Sequence, residues 1–250
     1  MILTCIVFSL LGITKSVIAA PVFSKGWASL SMFPKIGVLG DSYASGSLHH
    51  PDGTGWTGNY SISWPQILGR MIGASVVNFS KGGLSTKTWL SNADYGLSKL
   101  LRTEPQNLYL LNFGINDNTQ IKKGGFKVGN IADCKADFSN NPNTFYGCYG
   151  KIIGNIQHHA PGAKIVILSV ARPAERKNMD PKIREIAEHF GIPFIYLPND
   201  EFFTSDFFSN SMYKRHPVSY GYAGMAKAIE RLLLINIENN PDYYATYYGE

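Results

Sequence analysis

The sequence predicts an α/β fold, a three-layer α/β/α sandwich in which helices cover both faces of a central parallel sheet. Short apolar runs alternate along the chain with amphipathic runs of helical periodicity. The apolar runs contain so few polar residues that they are typical of strands covered on both faces. Glycine or proline follows most of the helical runs, as expected where helices end. This alternation predicts right-handed crossovers and a doubly wound, flavodoxin-like sheet.

The elements follow one another in a regular order. The candidate strands are 35–40, 74–80, 107–114, 163–170 and 192–197. The candidate helices are 64–72, 93–101, 149–159, 181–190 and 220–235, and an apolar stripe marks the last of them at Met225, Ile229, Leu232 and Leu233. Segments 49–63 and 122–147 do not fit the alternation. Because loops at the carboxyl ends of parallel strands line the ligand crevice, we expect both segments to border a site.

Composition limits the classes of function. The chain has 250 residues, 44% of them hydrophobic, and no linker rich in Pro, Gly or Ser divides it, so we expect one domain with one core. The formal net charge of +5 is scattered along the chain, which does not indicate a nucleic-acid partner. Two histidine pairs, at 49–50 and 158–159, lack the spacing of metal ligands. No metal site is therefore predicted, and no cofactor is implied.

The first twenty residues resemble a signal peptide. Residues 1–13 are almost wholly apolar, Lys15 follows, and the small residues before Pro21 offer a cleavage site near Ala19 or Ala20. The apolar run is too short to span a membrane. We therefore expect residues 21–250 to form a single secreted or extracytoplasmic domain without stable membrane insertion. No basic residue precedes the apolar run, so a first strand or a retained anchor stays open.

Cysteine usage agrees with export. Removal of residues 1–20 would take Cys5 away and leave Cys134 and Cys148 as a pair. A disulfide between them would close a short loop, worth about 3 kcal/mol on the chain-entropy scale. The sequence predicts this disulfide, and two free buried thiols are the alternative.

Four polar elements stand at the ends of apolar runs. Ser42, in the tripeptide Gly-Asp-Ser, follows the first strand directly, Gly83 follows the second and Asn116 the third, while His216 precedes the last helix. Serine needs a base to remove its proton and donors to stabilise the oxyanion. A backbone N–H at Gly83 and the amide of Asn116 are suitable donors, and His216 is a suitable base. The carboxyl ends of parallel strands meet at one edge, so these groups are expected to converge.

In their order, these four blocks resemble those of the SGNH (GDSL-type) hydrolase family, over nearly all of the chain after residue 35. The resemblance implies the SGNH hydrolase fold and a carboxylic ester hydrolase. It implies Ser42 as nucleophile, His216 as general base and an oxyanion hole formed by Ser42, Gly83 and Asn116. The elbow Gly-x-Ser-x-Gly of the α/β-hydrolases is not matched, because alanine follows at the last position.

One residue departs from the family pattern. The family usually places an aspartate three residues before the histidine, where this chain has Tyr213. In the serine-protease template, loss of the orienting acid lowers kcat by about 10⁴. A backbone carbonyl can orient the imidazole instead and give a Ser-His dyad. Asp206 is the nearest carboxylate and the candidate for an atypical triad.

The sequence thus predicts a serine esterase that acts on small acyl esters, with O-acetyl groups on carbohydrate as the favoured substrate. Trp56, Tyr60 and Trp64 are candidates for stacking on a sugar, and packing within the loop is their alternative role. Two other functions stay open. The missing aspartate would suit a non-catalytic glycan- or receptor-binding module, such as a surface or phage-tail component, and the same residues would serve an O-acyltransferase.

Overall fold

A parallel five-stranded sheet lies at the centre of the protein. The computed structural model describes Gly26 and residues 28–245. The strands in chain order are β1 (Lys35–Gly40), β2 (Ser47–His49), β3 (Trp56–Gly58), β4 (Ser75–Asn78), β5 (Leu108–Asn112), β6 (Lys164–Leu168), β7 (Phe194–Ile195), β8 (Met212–Tyr213) and β9 (His216–Pro217). The sheet has the order β4-β1-β5-β6-β7 with parallel pairing throughout. This is the flavodoxin-like order, so the predicted winding is confirmed.

Helices pack against the sheet in two groups. They are α1 (Trp64–Ile72), α2 (Thr86–Ser91), α3 (Leu97–Arg102), α4 (Ile115–Lys122), α5 (Phe145–His159), α6 (Pro173–His189), α7 (Asp206–Asn210), α8 (Ser219–Asn239) and α9 (Pro241–Ala245). Helix α1 packs on α8, while α5 packs on α2, α3 and α6. The three-layer α/β/α architecture is therefore confirmed.

The strands form because their residues are apolar on both faces. Every residue of β5 and β6 is buried, and so is every residue of β1 after Lys35. Gly37 in β1 is required by packing, since a Cβ there would lie 2.7 Å from the ring of Tyr109 on β5. Because the central strands are parallel, their carboxyl ends lie at the same edge of the sheet. The loops at this edge carry the polar residues.

Some element boundaries differ from the sequence-based prediction. Helices α2 and α4 were not predicted, since neither has a long apolar stripe. Helix α6 begins at Pro173, a position in the first turn where the missing N–H of proline costs no hydrogen bond. The helix continues through Pro181, which the sequence-based prediction took as its first residue. The segment 49–63 contains strand β3 of a short antiparallel hairpin, paired with β2. It therefore has more regular structure than a loop.

The predicted disulfide is wrong, because Cys134 and Cys148 are free, buried thiols. Helix α5 begins at Phe145, with the Thr144 side chain as its cap, so Cys148 lies inside the helix. Cys134 packs on Gly150 and donates a hydrogen bond to the Tyr146 carbonyl at 3.2 Å. Positions 146 and 150 share one helix face, and position 148 is on the opposite face. The two sulfur atoms are thus kept apart by the helix.

The N-terminal prediction lies outside the described residues, since the segment 1–20 precedes them. Within residues 28–245 no helix has the length and apolar character needed to cross a membrane.

Candidate active site

Ser42 lies in a tight turn at the carboxyl end of β1. The Oδ1 atom of Asp41 accepts a hydrogen bond from the N–H of Tyr43 at 3.0 Å, and the Ser42 carbonyl accepts one from the N–H of Ser47 at 3.0 Å. The Tyr222 hydroxyl on α8 donates to the Ser47 carbonyl at 2.8 Å. The turn is therefore fixed to both the sheet and the last helix.

His216 approaches Ser42 from the hairpin formed by β8 and β9. Its Nε2 atom lies 2.7 Å from the Ser42 hydroxyl oxygen, although the two residues are far apart in the chain. This is the contact that a general base needs with the proton it removes. The expected approach of the two side chains is therefore present.

The other imidazole nitrogen faces a backbone carbonyl. His216 Nδ1 lies 3.5 Å from the Lys214 carbonyl oxygen, at the long limit of a hydrogen bond. Asp206 does not reach the imidazole, because it is exposed in the first turn of α7 and no hydrogen bond joins it to His216. Tyr213, at the position of the missing acid, is 44% exposed. Among the described residues, the group that orients the imidazole is therefore the backbone carbonyl of Lys214.

The turn that supplies this carbonyl has a strained backbone. Lys214 has φ 44° and Arg215 has φ 71°, in the left-handed region that residues with a Cβ rarely adopt. These two residues form the loop of the β8–β9 hairpin. The turn that is favoured in such a hairpin requires a positive φ at both loop residues. The Tyr43 hydroxyl donates to the Arg215 carbonyl at 2.6 Å. Tyr43, buried next to the nucleophile, thus holds the turn that positions the base.

The environment of His216 favours a neutral imidazole. Burial lowers its pKa from 6.5 to about 4, and the positive charge of Arg172 acts in the same direction, while the hydrogen bond to Lys214 opposes the shift. The ring of Trp56 covers the imidazole at 4.1 Å between centroids. The imidazole is therefore able to accept a proton from Ser42 over a wide range of pH.

The candidate oxyanion donors lie beside the serine. Gly83 has φ 85°, and a Cβ there would meet no atom within 4 Å, so its backbone conformation, rather than crowding, requires glycine. Among the described residues, no backbone acceptor pairs with the N–H of Ser42 or of Gly83. Asn116 donates through Nδ2 to the Leu84 carbonyl at 3.0 Å and carries a second N–H on that nitrogen. The three groups border one cavity.

Asp117 fixes the position of Asn116. Its Oδ1 atom accepts hydrogen bonds from the backbone N–H and the hydroxyl of Thr86, at 2.9 and 2.6 Å, and so ties α4 to the start of α2. Burial raises the pKa of Asp117 to about 6 and that of Asp41 to about 7. Both carboxyl groups therefore titrate nearer to neutral pH than an exposed aspartate does.

A cavity of about 680 Å³ opens at the serine. Ser42, Gly83, Asn116 and His216 all line it, as do Trp56 and Tyr60. The Tyr60 hydroxyl donates to the Ser80 carbonyl at 2.8 Å, which fixes its ring at the wall. The four predicted blocks and two of the three predicted aromatic residues therefore meet at one place.

The prediction for Trp64 is wrong. Its side chain is completely buried and does not border the cavity. Trp64 is the first residue of α1, and Leu68, one turn later on the same face, is also fully buried. The aromatic ring therefore belongs to the core between α1 and α8 rather than to the site.

Most of the chain matches a known protein family. Residues 38–223 match the sequence profile of the GDSL-like Lipase/Acylhydrolase family. The chain belongs to this family, and it is an SGNH-type ester hydrolase. No curated protein matches the sequence.

Solved structures share the fold of this GDSL-like hydrolase. A protein described as a GDSL-like lipase from Bacteroides ovatus has 16% identity and a TM-score of 0.59, over 80% of this chain and 97% of that chain. An extracellular lipase from Streptomyces rimosus has 14% identity and a TM-score of 0.53, over 78% and 97%. An active-site mutant of a family two carbohydrate esterase from Clostridium thermocellum has 17% identity and a TM-score of 0.52, over 84% and 64%. At such identities the likeness establishes the fold alone.

Several residues of this GDSL-like site were not predicted. Tyr95 pairs with Tyr60 across the cavity wall at 6.3 Å between ring centroids, and Lys81, Arg172 and Arg215 also line the cavity. Arg172 follows the carboxyl end of β6. It could have been predicted in the same way as Ser42, as a polar residue that follows a buried parallel strand. Tyr95 lies between α2 and α3, and no sequence pattern marks it. Among the described residues no group of His, Cys, Asp and Glu side chains is placed to hold a metal ion.

Proposed function

We propose that the protein is a serine esterase that uses a Ser-His dyad. Ser42 attacks the acyl carbonyl while His216 Nε2 takes its proton, and the alkoxide that forms is stabilised by the N–H groups of Ser42, Gly83 and Asn116. The imidazole then returns the proton to the leaving alcohol. Water, deprotonated by the same nitrogen, hydrolyses the acyl-enzyme, and the imidazole returns this proton to the Ser42 oxygen as the acid is released. The separation of 2.7 Å between His216 Nε2 and Ser42 Oγ is the observation that carries this proposal, and it weighs against a non-catalytic binding module.

The favoured substrates are O-acetyl groups on carbohydrate. The cavity is lined by hydroxyl groups such as those of Ser45 and Thr119, which suit a polar alcohol. The ring of Trp56 is 46% exposed and adjoins His216, the residue that protonates the leaving alcohol. An exposed aromatic face at this point is suited to stacking on a sugar. One protein of similar fold is a carbohydrate esterase, which supports the same choice.

The protein acts outside the cytoplasm in this proposal. Residues 1–20 have the composition of a signal peptide, and one protein of similar fold is an extracellular lipase. The partner is then a small-molecule or glycan ester. No cofactor, nucleic acid or membrane insertion is part of the proposed reaction.

A substrate panel tests the proposal. p-Nitrophenyl esters of increasing chain length and acetylated oligosaccharides are incubated with the wild type, with Ser42→Ala and with Ser91→Ala, a control at an exposed serine at the end of α2. We expect release of acetate that falls by about 10⁴-fold or more in Ser42→Ala and is unchanged in Ser91→Ala. Equal release in Ser42→Ala would refute the proposal. Addition of free sugar acceptors separates hydrolysis from acyl transfer, since transfer yields a new ester instead of acetate.

A further inference from the structure

The cavity at Ser42 carries positive charge that the esterase mechanism does not use. Lys81, Arg172 and Arg215 line it, and no Asp or Glu among residues 28–245 does. Arg172 forms a bidentate ion pair with Glu175, which offsets its charge. Lys81 and Arg215 have no ion pair within the described part of the chain. Two cationic residues without an ion pair therefore line the cavity at Ser42, and the Lys81 ammonium lies over the ring of Tyr95 at 4.8 Å from its centroid.

Arg215 and Lys81 adjoin different parts of the site in the sequence. Arg215 is the chain neighbour of His216, which protonates the departing alcohol, whereas Lys81 adjoins the Gly82–Gly83 segment on the side of the oxyanion donors. An anion bound by Arg215 therefore belongs to the alcohol part of the ester, and not to the acyl part.

The backbone of Arg215 is preorganised. Its φ of 71° lies in the left-handed region, which is unfavourable for a residue with a Cβ. The Tyr43 hydroxyl nevertheless holds its carbonyl at 2.6 Å. A guanidinium on a residue at the cavity wall suits a carboxylate, because its planar donors bind both oxygens.

We propose that Arg215 is a specificity-determining residue that binds a carboxylate on the alcohol part of the substrate, so that the preferred substrate is an acylated acidic sugar. The inference rests on the proposed esterase function and narrows its substrate class. If the positive charge of the cavity served only to stabilise the oxyanion, it would accelerate the hydrolysis of neutral and acidic esters equally. The two cases therefore differ in how KM depends on the charge of the sugar.

The experiment compares two substrates that differ only in that charge, the methyl glycosides of glucuronic acid and of glucose, each acetylated at the same hydroxyl. We expect the wild type to have a KM about 10- to 100-fold lower for the acidic ester, the range for hydrogen bonds between charged groups. Arg215→Gln should remove this preference and leave the neutral ester within about threefold. Arg215→Lys should retain part of it, and Lys227→Gln, at an exposed position of α8, should leave it unchanged.

A binding measurement separates the inference from the proposed function. The acidic ester is titrated into Ser42→Ala by calorimetry, with and without Arg215→Gln, so that no turnover is needed, and thermal unfolding confirms that each variant is folded. Tight binding that depends on Arg215 supports the inference even if the wild type hydrolyses neither ester, in which case the esterase proposal fails. Equal KM and equal affinity for the two esters would overturn the inference while leaving the esterase intact. An equal loss for both esters in Arg215→Gln would also overturn it.

Discussion

The low pKa of His216 makes activity at acidic pH the sharpest consequence of the site. The reaction needs the neutral imidazole, and burial lowers its pKa from 6.5 to about 4. The ring of Trp56 is one of the groups that cover the imidazole. At pH 5 the neutral fraction is therefore about 0.9, whereas a histidine with the ordinary pKa would be neutral in only about 0.03 of the molecules. We expect kcat/KM for a neutral acetyl ester to stay near its plateau at pH 5 and to fall only near pH 4.

The assay follows kcat/KM over the range of about pH 3.5 to 8, and Trp56→Ala provides the matched perturbation. Removal of the indole gives water access to His216, so the midpoint of the acidic limb of the profile should rise toward pH 6.5. A change in substrate affinity alone would leave this midpoint unchanged. An acidic limb near 6.5 in the wild type would refute the reasoning. So would a limb that does not move in Trp56→Ala.

Stability must be followed in the same range, because buried groups titrate there with opposite signs. His216 binds protons more weakly in the folded state, so stability falls as pH drops from 6.5 toward 4. Asp41 and Asp117 have raised pKa values, of about 7 and about 6, and bind protons more strongly in the folded state. Their contribution therefore rises as pH drops through these values toward 3.8. Intrinsic fluorescence at each pH separates loss of fold from protonation of the base.

Three further predictions concern positions at and near the site. Asp206→Asn should keep kcat/KM within about twofold, since the carboxylate lies away from the imidazole; a loss as large as that of Ser42→Ala would show a displaced triad. Tyr43→Phe should lower kcat about tenfold with little change in KM, because a hydrogen bond to the turn carrying the base is lost; an unchanged kcat would contradict a positioning role. Trp64→Ala should lower the free energy of unfolding by about 3–5 kcal/mol in denaturant titrations while KM changes little, and a raised KM in a stable variant would return Trp64 to the site.

The convergence of the site was predictable because the geometry of a parallel sheet determines it. Ser42, Gly83 and Asn116 each follow an apolar run, and the carboxyl ends of such strands share one edge. His216, which precedes the last helix, was assigned as the general base from the family resemblance. Its approach to Ser42 depends on the β8–β9 hairpin, which has strands of two residues and no detectable alternation.

The errors have a common origin in packing at the ends of helices. The sequence gives Cys134 and Cys148 a spacing compatible with a disulfide, but the two cysteines are separated by the helix that begins at Phe145. Trp64 is next to a polar loop in sequence and was placed with it, yet its spacing from Leu68 marks a helix face. An earlier start of the helix would have shown which way Cys148 faces, whereas the predicted helix 64–72 already began at Trp64 and only the spacing to Leu68 marked its buried face.

The most direct test of the proposed dyad is to trap the acyl-enzyme. The protein is mixed with p-nitrophenyl acetate, quenched in acid within one turnover, digested and examined by mass spectrometry. The dyad mechanism predicts one acetyl group on Ser42 in the wild type, and none in Ser42→Ala or His216→Ala. Acetylation of a different residue in the wild type, or steady-state hydrolysis by Ser42→Ala at the wild-type rate, would contradict it.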